Sequence, residues 1–199
     1  MSSPDVRQAP KLSDPSAILG HVDPNTFWTL IADARSTVAD PSDSAAVARA
    51  ASALLATRPP AEIVAAQQVL WDLLALSYRN PLWAAAYLIN GGCSDDGFDY
   101  FRGWLLAQGR GVFESALADP DSLAALPAVV RAAESGQEFE CELTLNIAWD
   151  AHLAATDMKL PEDAFTIRYP ELDPDWDFDF DDSAELSARL PRLSALFAA

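Results

Sequence analysis

Proline placement limits this chain more than any other feature. There are 14 prolines in 199 residues, and most stand at the edges of runs rich in alanine and leucine. Proline lacks an N–H and holds φ near −65°, so it suits the first turn of a helix and breaks a helix interior. Glycine, the other strong breaker, occurs only eight times. Good helix formers separated by proline punctuation predict a series of helices with abrupt joints.

Read this way, the first helix opens in DPNTFWTLIADAR, with Asp23 as cap, Pro24 in the first turn, and Phe27, Leu30 and Ile31 on one face. The run PSDSAAVARAASALLATR predicts a second helix capped by Ser42 or Ser44. A third follows Pro60, with Ile63, Leu70, Leu74 and Tyr78 down one side. Asn80-Pro81 breaks the chain, and PLWAAAYLIN forms a fourth helix ended by Gly91-Gly92. SDDGFDYFRGWLLAQG is the fifth, ending near Gly109, and GVFESALAD the sixth.

EFECELTLNI is ambiguous. Phe139, Cys141, Leu143, Leu145 and Ile147 alternate as in a strand, whereas Phe139, Leu143 and Ile147 also fit a helical repeat. No other segment offers a pairing partner, and a lone strand is unstable, so the expectation is helix. After Thr156 three prolines and many aspartates interrupt an aromatic-rich stretch, which is expected to lie across the helices as an extended arm, about residues 157–182. A closing helix, about 183–198, is kinked or split by Pro191. The expectation is an all-α fold, one compact multi-helix domain over 23–199, with residues 1–22 as a flexible tail.

Charge narrows the partners. The net charge is −17, from 13 basic and 30 acidic residues. Such a surface repels phosphate backbones and anionic lipid, so neither free nucleic acid nor a membrane is expected as a partner. No apolar run approaches the ~20 residues a spanning helix needs, and the first residues lack the pattern of a secretory signal. Two cysteines, Cys93 and Cys141, and two histidines make neither a zinc cluster nor a CxxC motif. Reduced thiols and a cytoplasmic location are expected.

Two places carry enough chemistry to be sites. The first is the corner LINGGCSDDGFDYFRGWLLAQGR, residues 88–110. Ser94 is placed to cap the fifth helix, with Asp95 and Asp96 in its first turn, where carboxylates complement the helix dipole. Cys93 at a helix N-terminus has the setting of a nucleophile, but Asp95 and Asp96 oppose thiolate formation and no histidine is adjacent in sequence, although folding could bring His152 close. Asp95 and Asp96 are explained by capping before metal binding, so no metal is expected. Arg102 is placed to reach Asp95, Asp99 or an incoming acid. Tyr87, Asn90, Asp95, Asp96, Arg102 and Gln108 either converge as a polar pocket in an aromatic rim or bond one another as a network that holds the joint, the network being favoured.

The second place is DPDWDFDFDD, where Asp175, Asp177, Asp179 and Asp181 alternate with Trp176, Phe178 and Phe180. In extended form one face is acidic and the other aromatic. The rings either dock on a partner or cover this protein's own helices, the latter being favoured. A calcium loop of the EF-hand kind fails, because the sixth position from Asp173 is Phe178 and the twelfth is Ala184. Trp71, Tyr78, Trp83 and Tyr87 repeat at helical spacing and read as core. No phosphate-binding glycine loop, Ser-His-Asp spacing or cofactor signature is present, and no cofactor is expected.

The run LWAAAYLINGGCSDDGFDYFRGWLLAQGRGVFESALADPDSLA, with TFWTLIADAR before it and LPRLSALF after it, resembles the bacterial family called domain of unknown function 4240. The likeness extends over about residues 24–197. It implies a regulatory or interaction role, since some members are fused to regulatory or nucleic-acid-associated modules. Carried over by motif, it marks Trp83, Tyr87, Asn90, Gly91, Gly92, Cys93, Ser94, Asp95, Asp96, Phe98, Phe101, Arg102, Trp104 and Gln108 as positions of weight. The expected function is a binding or regulatory module for a protein or small ligand. The alternative is an enzyme acting on a small polar or cationic substrate at the Gly91–Arg102 junction.

Overall fold

The computed structural model describes residues 23–198, so the expected tail at 1–22 lies outside the described residues. The fold is all-α, with no strand among the described residues. Helices α1 (Pro24–Thr37), α2 (Ser44–Leu55), α3 (Pro60–Ser77), α4 (Asn80–Asn90), α5 (Asp95–Ala107) and α6 (Arg110–Ala118) fall where the proline and glycine breaks place them. A 3-10 turn (Pro120–Ala125) and α7 (Pro127–Ser135) then fill a stretch for which the sequence raised no expectation. Both begin with proline at the first turn, the same signal as elsewhere. After α8 (Glu142–Leu145) and α9 (Ile147–Thr156), the chain runs irregularly to α10 (Ser183–Arg189) and α11 (Pro191–Phe197), which Pro191 splits outright.

Much of the acidic excess does structural work. Asp23, Asp43 and Asp182 each accept a backbone N–H at the start of α1, α2 and α10, and Asp119 and Asp173 do so at the 3-10 turns Pro120–Ala125 and Pro174–Trp176. The cap of α2 is therefore Asp43, not Ser42 or Ser44. Ser42 instead bonds Asp40 in the preceding turn. α11 takes its cap from far away: the buried Asp121 carboxylate accepts the N–H groups of Arg192 at 3.0 Å and Leu193 at 2.8 Å.

α5 is the axis of the molecule. From Phe101 to Ala107 every residue is buried, wrapped by α2, α3, α4, α6 and α8. Each apolar side chain so enclosed contributes about 1.5–3 kcal/mol relative to exposure. α8 crosses α5 at Gly103, where an added Cβ would stand 2.3 Å from the Cys141 carbonyl oxygen. Only glycine permits that approach.

The ambiguous segment is neither alternative entire. Residues 137–141 are irregular, and α8 and α9 begin after them. Phe139 and Cys141 are both buried, so the alternating pattern is real, but the extended backbone finds its partners in α4 and α5 rather than in a sheet. The Cys141 N–H donates to the Tyr100 carbonyl at 2.9 Å, and the Phe139 ring stacks on Trp104 with centroids 4.4 Å apart.

The arm is docked. Leu160 is buried, and Phe165 sits between Trp71 and Trp149. The Gln68 amide binds both the N–H and the carbonyl of Thr166, as a paired strand would.

Candidate functional site

Gly91 and Gly92 both take positive φ, 67° and 138°, and turn the chain out of α4 with the Gly92 N–H returned to the Tyr87 carbonyl. Ser94 then caps α5, its hydroxyl accepting the Gly97 N–H at 3.1 Å. Asp95 and Asp96 sit exposed on the first turn of that helix.

The polar residues of the corner divide instead of converging. Arg102 points inward and is 1% exposed. Its guanidinium donates to the carbonyls of Leu74 and Phe98, forms an ion pair with Asp99, and lies over the rings of Tyr78 and Phe98. Desolvation lowers the Arg102 pKa and raises that of Asp99 against the pull of the pair. Both shifts have burial as their largest cause, and removing either partner would leave the other ion buried without its counter-charge. Asn90 clamps the irregular segment, accepting the Phe139 N–H at 2.9 Å and donating to the Phe139 carbonyl at 3.3 Å. Gln108 reaches only the Trp104 carbonyl of its own helix.

Tyr87 and Cys93 face the other way, into an open groove of about 580 Å³ between α4 and the arm. One wall is Asn80, Trp83, Tyr87 and Cys93; the other is residues 172–174 and 176–180, with Trp176, Phe178 and Phe180. The volume falls in the range of ligand sites. Bonds across its edges hold the walls together. Tyr87 donates its hydroxyl to Asp181, and its ring meets Phe180 edge-on at 5.7 Å. Asn80 donates its amide to the Asp173 carbonyl at 3.0 Å. Trp83 stacks on Phe98 at 4.8 Å and donates its indole N–H to the Cys93 carbonyl. The alternation of the arm survives: Trp176, Phe178 and Phe180 are half-buried, and the aspartates between them are exposed.

Electrostatics around the groove are one-sided. Asp173, Asp177 and Asp179 are the charged residues that line it. Burial, reinforced by Glu140, pushes the Cys93 thiol up to about 12. The Asp181 carboxylate that accepts its proton raises the pKa of Tyr87. His152 does not join Cys93: it lies in α9, its Nδ1 bound by the Met158 carbonyl and the Thr156 hydroxyl. Both cysteines are free. Among the described residues no group of three or more His, Cys, Asp or Glu is placed to hold a metal ion.

Of the residues the sequence nominated, Tyr87, Cys93, Trp176, Phe178 and Phe180 share the groove. Asn90, Arg102 and Gln108 bind within the fold, Ser94 caps α5, and Asp95 and Asp96 lie exposed in its first turn. The sequence reading missed Asn80 and Asp173 as groove residues and took Asp177 and Asp179 only as the acidic face of the arm. Asn80 reads locally as a helix start, and its partner lies 93 positions away, so no local signal betrays it.

Residues 22–153 match the model of the family described as Protein of unknown function (DUF4240). The chain belongs to this family. The DUF4240 match contains α4 and the corner, whereas the arm and the closing LPRLSALF lie beyond it. One wall of the groove is thus inside the DUF4240 match and the other outside it. No curated protein and no solved structure matches the chain. No helix among the described residues is long and apolar enough to cross a membrane.

Proposed function

We propose that this DUF4240 protein is a cytoplasmic binding module, and that the groove between α4 and the arm is where its protein or small-molecule ligand sits. The observation that carries this reading is the meeting of both sequence-nominated places on one cavity. Tyr87 and Cys93 come from the corner, and Trp176, Phe178 and Phe180 from the arm. Half-buried rings beside hydrogen-bonding groups are the usual lining of a ligand site. A thiol pushed up to about 12 stays protonated at neutral pH, which favours binding over nucleophilic catalysis at Cys93.

Fluorine labelling tests the location without assuming the ligand. The chain has six tryptophans, of which Trp83 and Trp176 line the groove, one on each wall. With 5-fluorotryptophan throughout, a fragment library of mixed charge is expected to move the Trp83 and Trp176 resonances together. Hits that move only Trp71 and Trp149, or no hits, would overturn the proposal.

A further inference from the structure

We infer that the groove's occupant is an arginine side chain carried on a basic, extended segment of another protein; the inference rests on the binding reading above.

Three observations lead there. The first is charge. Asp173, Asp177 and Asp179 line the groove, and among the described residues no basic side chain does. An anion entering it meets like charge on one wall, and a cation meets complementary charge. The second is the ring lining. Trp83, Trp176 and Phe178 line the groove beside those carboxylates, and cations are drawn to aromatic rings. The third comes from the chain itself. The Arg189 guanidinium lies 5.0 Å from the Trp176 ring centre and 4.9 Å from that of Phe178. Trp176 also lines a second groove of about 420 Å³ together with Arg189, an exposed residue whose guanidinium pairs with Glu185 at 3.0 Å. These two rings, in this backbone setting, already hold the ligand chemistry in cis.

Guanidinium fits better than ammonium. It is planar, more weakly hydrated, stacks on rings and forks onto carboxylates. An extended segment fits better than a free small molecule. The groove is open along the arm, and its acidic positions are strung out from Asp173 to Asp179 rather than gathered at one point. The net charge of −17 adds long-range attraction toward a basic partner.

The test uses the full chain labelled with 5-fluorotryptophan and four probes: a blocked peptide with two arginines among glycines, its lysine and glutamate counterparts, and N-acetyl-arginine amide. The arginine peptide is expected to move Trp83 and Trp176 with the tightest affinity, weakening as salt rises. Asp177→Asn with Asp179→Asn should weaken it about three- to tenfold, since each exposed charge contributes little. Asparagine at 179 can still accept the Asp181 N–H, so the arm keeps its turn. Glu134→Gln with Asp150→Asn removes the same charge from exposed helical positions that do not line the groove and should leave the affinity unchanged. Equal binding of the arginine and lysine peptides, or equal loss in both charge variants, would reduce the effect to general surface attraction and overturn the inference. Equal binding of N-acetyl-arginine amide and the peptide would make the groove a small-cation site and overturn it as well. If neutral or anionic fragments move Trp83 and Trp176 while the arginine peptide does not, the binding reading stands and the arginine assignment falls. If nothing moves them, both fall.

Discussion

Replacing Arg102 with alanine removes the one fully buried cation of the fold's central helix, and the cost follows from what it leaves behind. The Leu74 carbonyl keeps only the Ser77 hydroxyl as a side-chain partner, at 3.0 Å. Asp99, whose side chain is 21% exposed, loses its counter-ion while remaining largely desolvated. The rings of Tyr78 and Phe98 lose the group lying over both. Truncating one member of such a pair costs about 3–5 kcal/mol. For a domain of this size that is a drop of roughly 6–20 °C in Tm. Urea unfolding with unchanged m-value gives the free energy directly. Asp96→Asn, on the exposed first turn of the same helix, should stay within about 0.5 kcal/mol of wild type. The double variant Arg102→Met, Asp99→Leu should recover part of the loss, because it removes the unpaired Asp99 charge while the Leu74 carbonyl still lacks the guanidinium. An Arg102→Ala cost below about 1 kcal/mol, or a double variant as unstable as the single, would refute the reading of this pair as structural.

Three further outcomes are expected. Gly103→Ala gains about 1 kcal/mol of helix propensity but drives a Cβ into the Cys141 carbonyl, so a net loss of about 1–3 kcal/mol should appear in thermal unfolding, and a gain would mean α8 slides freely on α5. Cys93 is pushed up to about 12, so its contribution to stability is complete below the ordinary thiol range and is lost only as pH rises toward that value. Iodoacetamide should therefore label native protein slowly at neutral pH, and rapid labelling at pH 7 would contradict the burial argument. Tyr87 is raised above 10.0 chiefly by its bond to Asp181, so the bond's contribution persists below that pH and disappears as pH climbs through the higher folded value. Asp181→Asn should bring one tyrosine of the absorbance titration back toward the ordinary range; an unchanged titration would show that the bond does not form in solution.

The legible parts were those set by neighbours in the chain. Pro24, Pro60 and Pro191 stand at helix starts and do so for a reason intrinsic to proline. Ser94 capping α5 and Gly91-Gly92 ending α4 needed only residues three or four positions away. The same local logic chose between serines for α2 and missed Asp43, because adjacent Asp and Ser side chains compete for the same orphan N–H groups. Alternation of rings and aspartates in the arm was visible too, and it survives as alternating exposure.

What the sequence by itself determined is the helical class, the joints between helices, and two candidate places rich in polar and aromatic groups. Only the tertiary structure decided how the candidates divide. Tyr87 and Arg102 lie 15 positions apart, yet one faces the arm and the other the core, because α4 turns through two positive-φ glycines before α5 begins. Asn90 found its partner 49 positions away, and Tyr87 found its own 94 away. Such pairings bring no local signal, since their free energy arises only after the helices have packed and placed distant groups within hydrogen-bond reach. The groove is a property of that packing: its walls are joined by contacts between residues that no sequence window contains together.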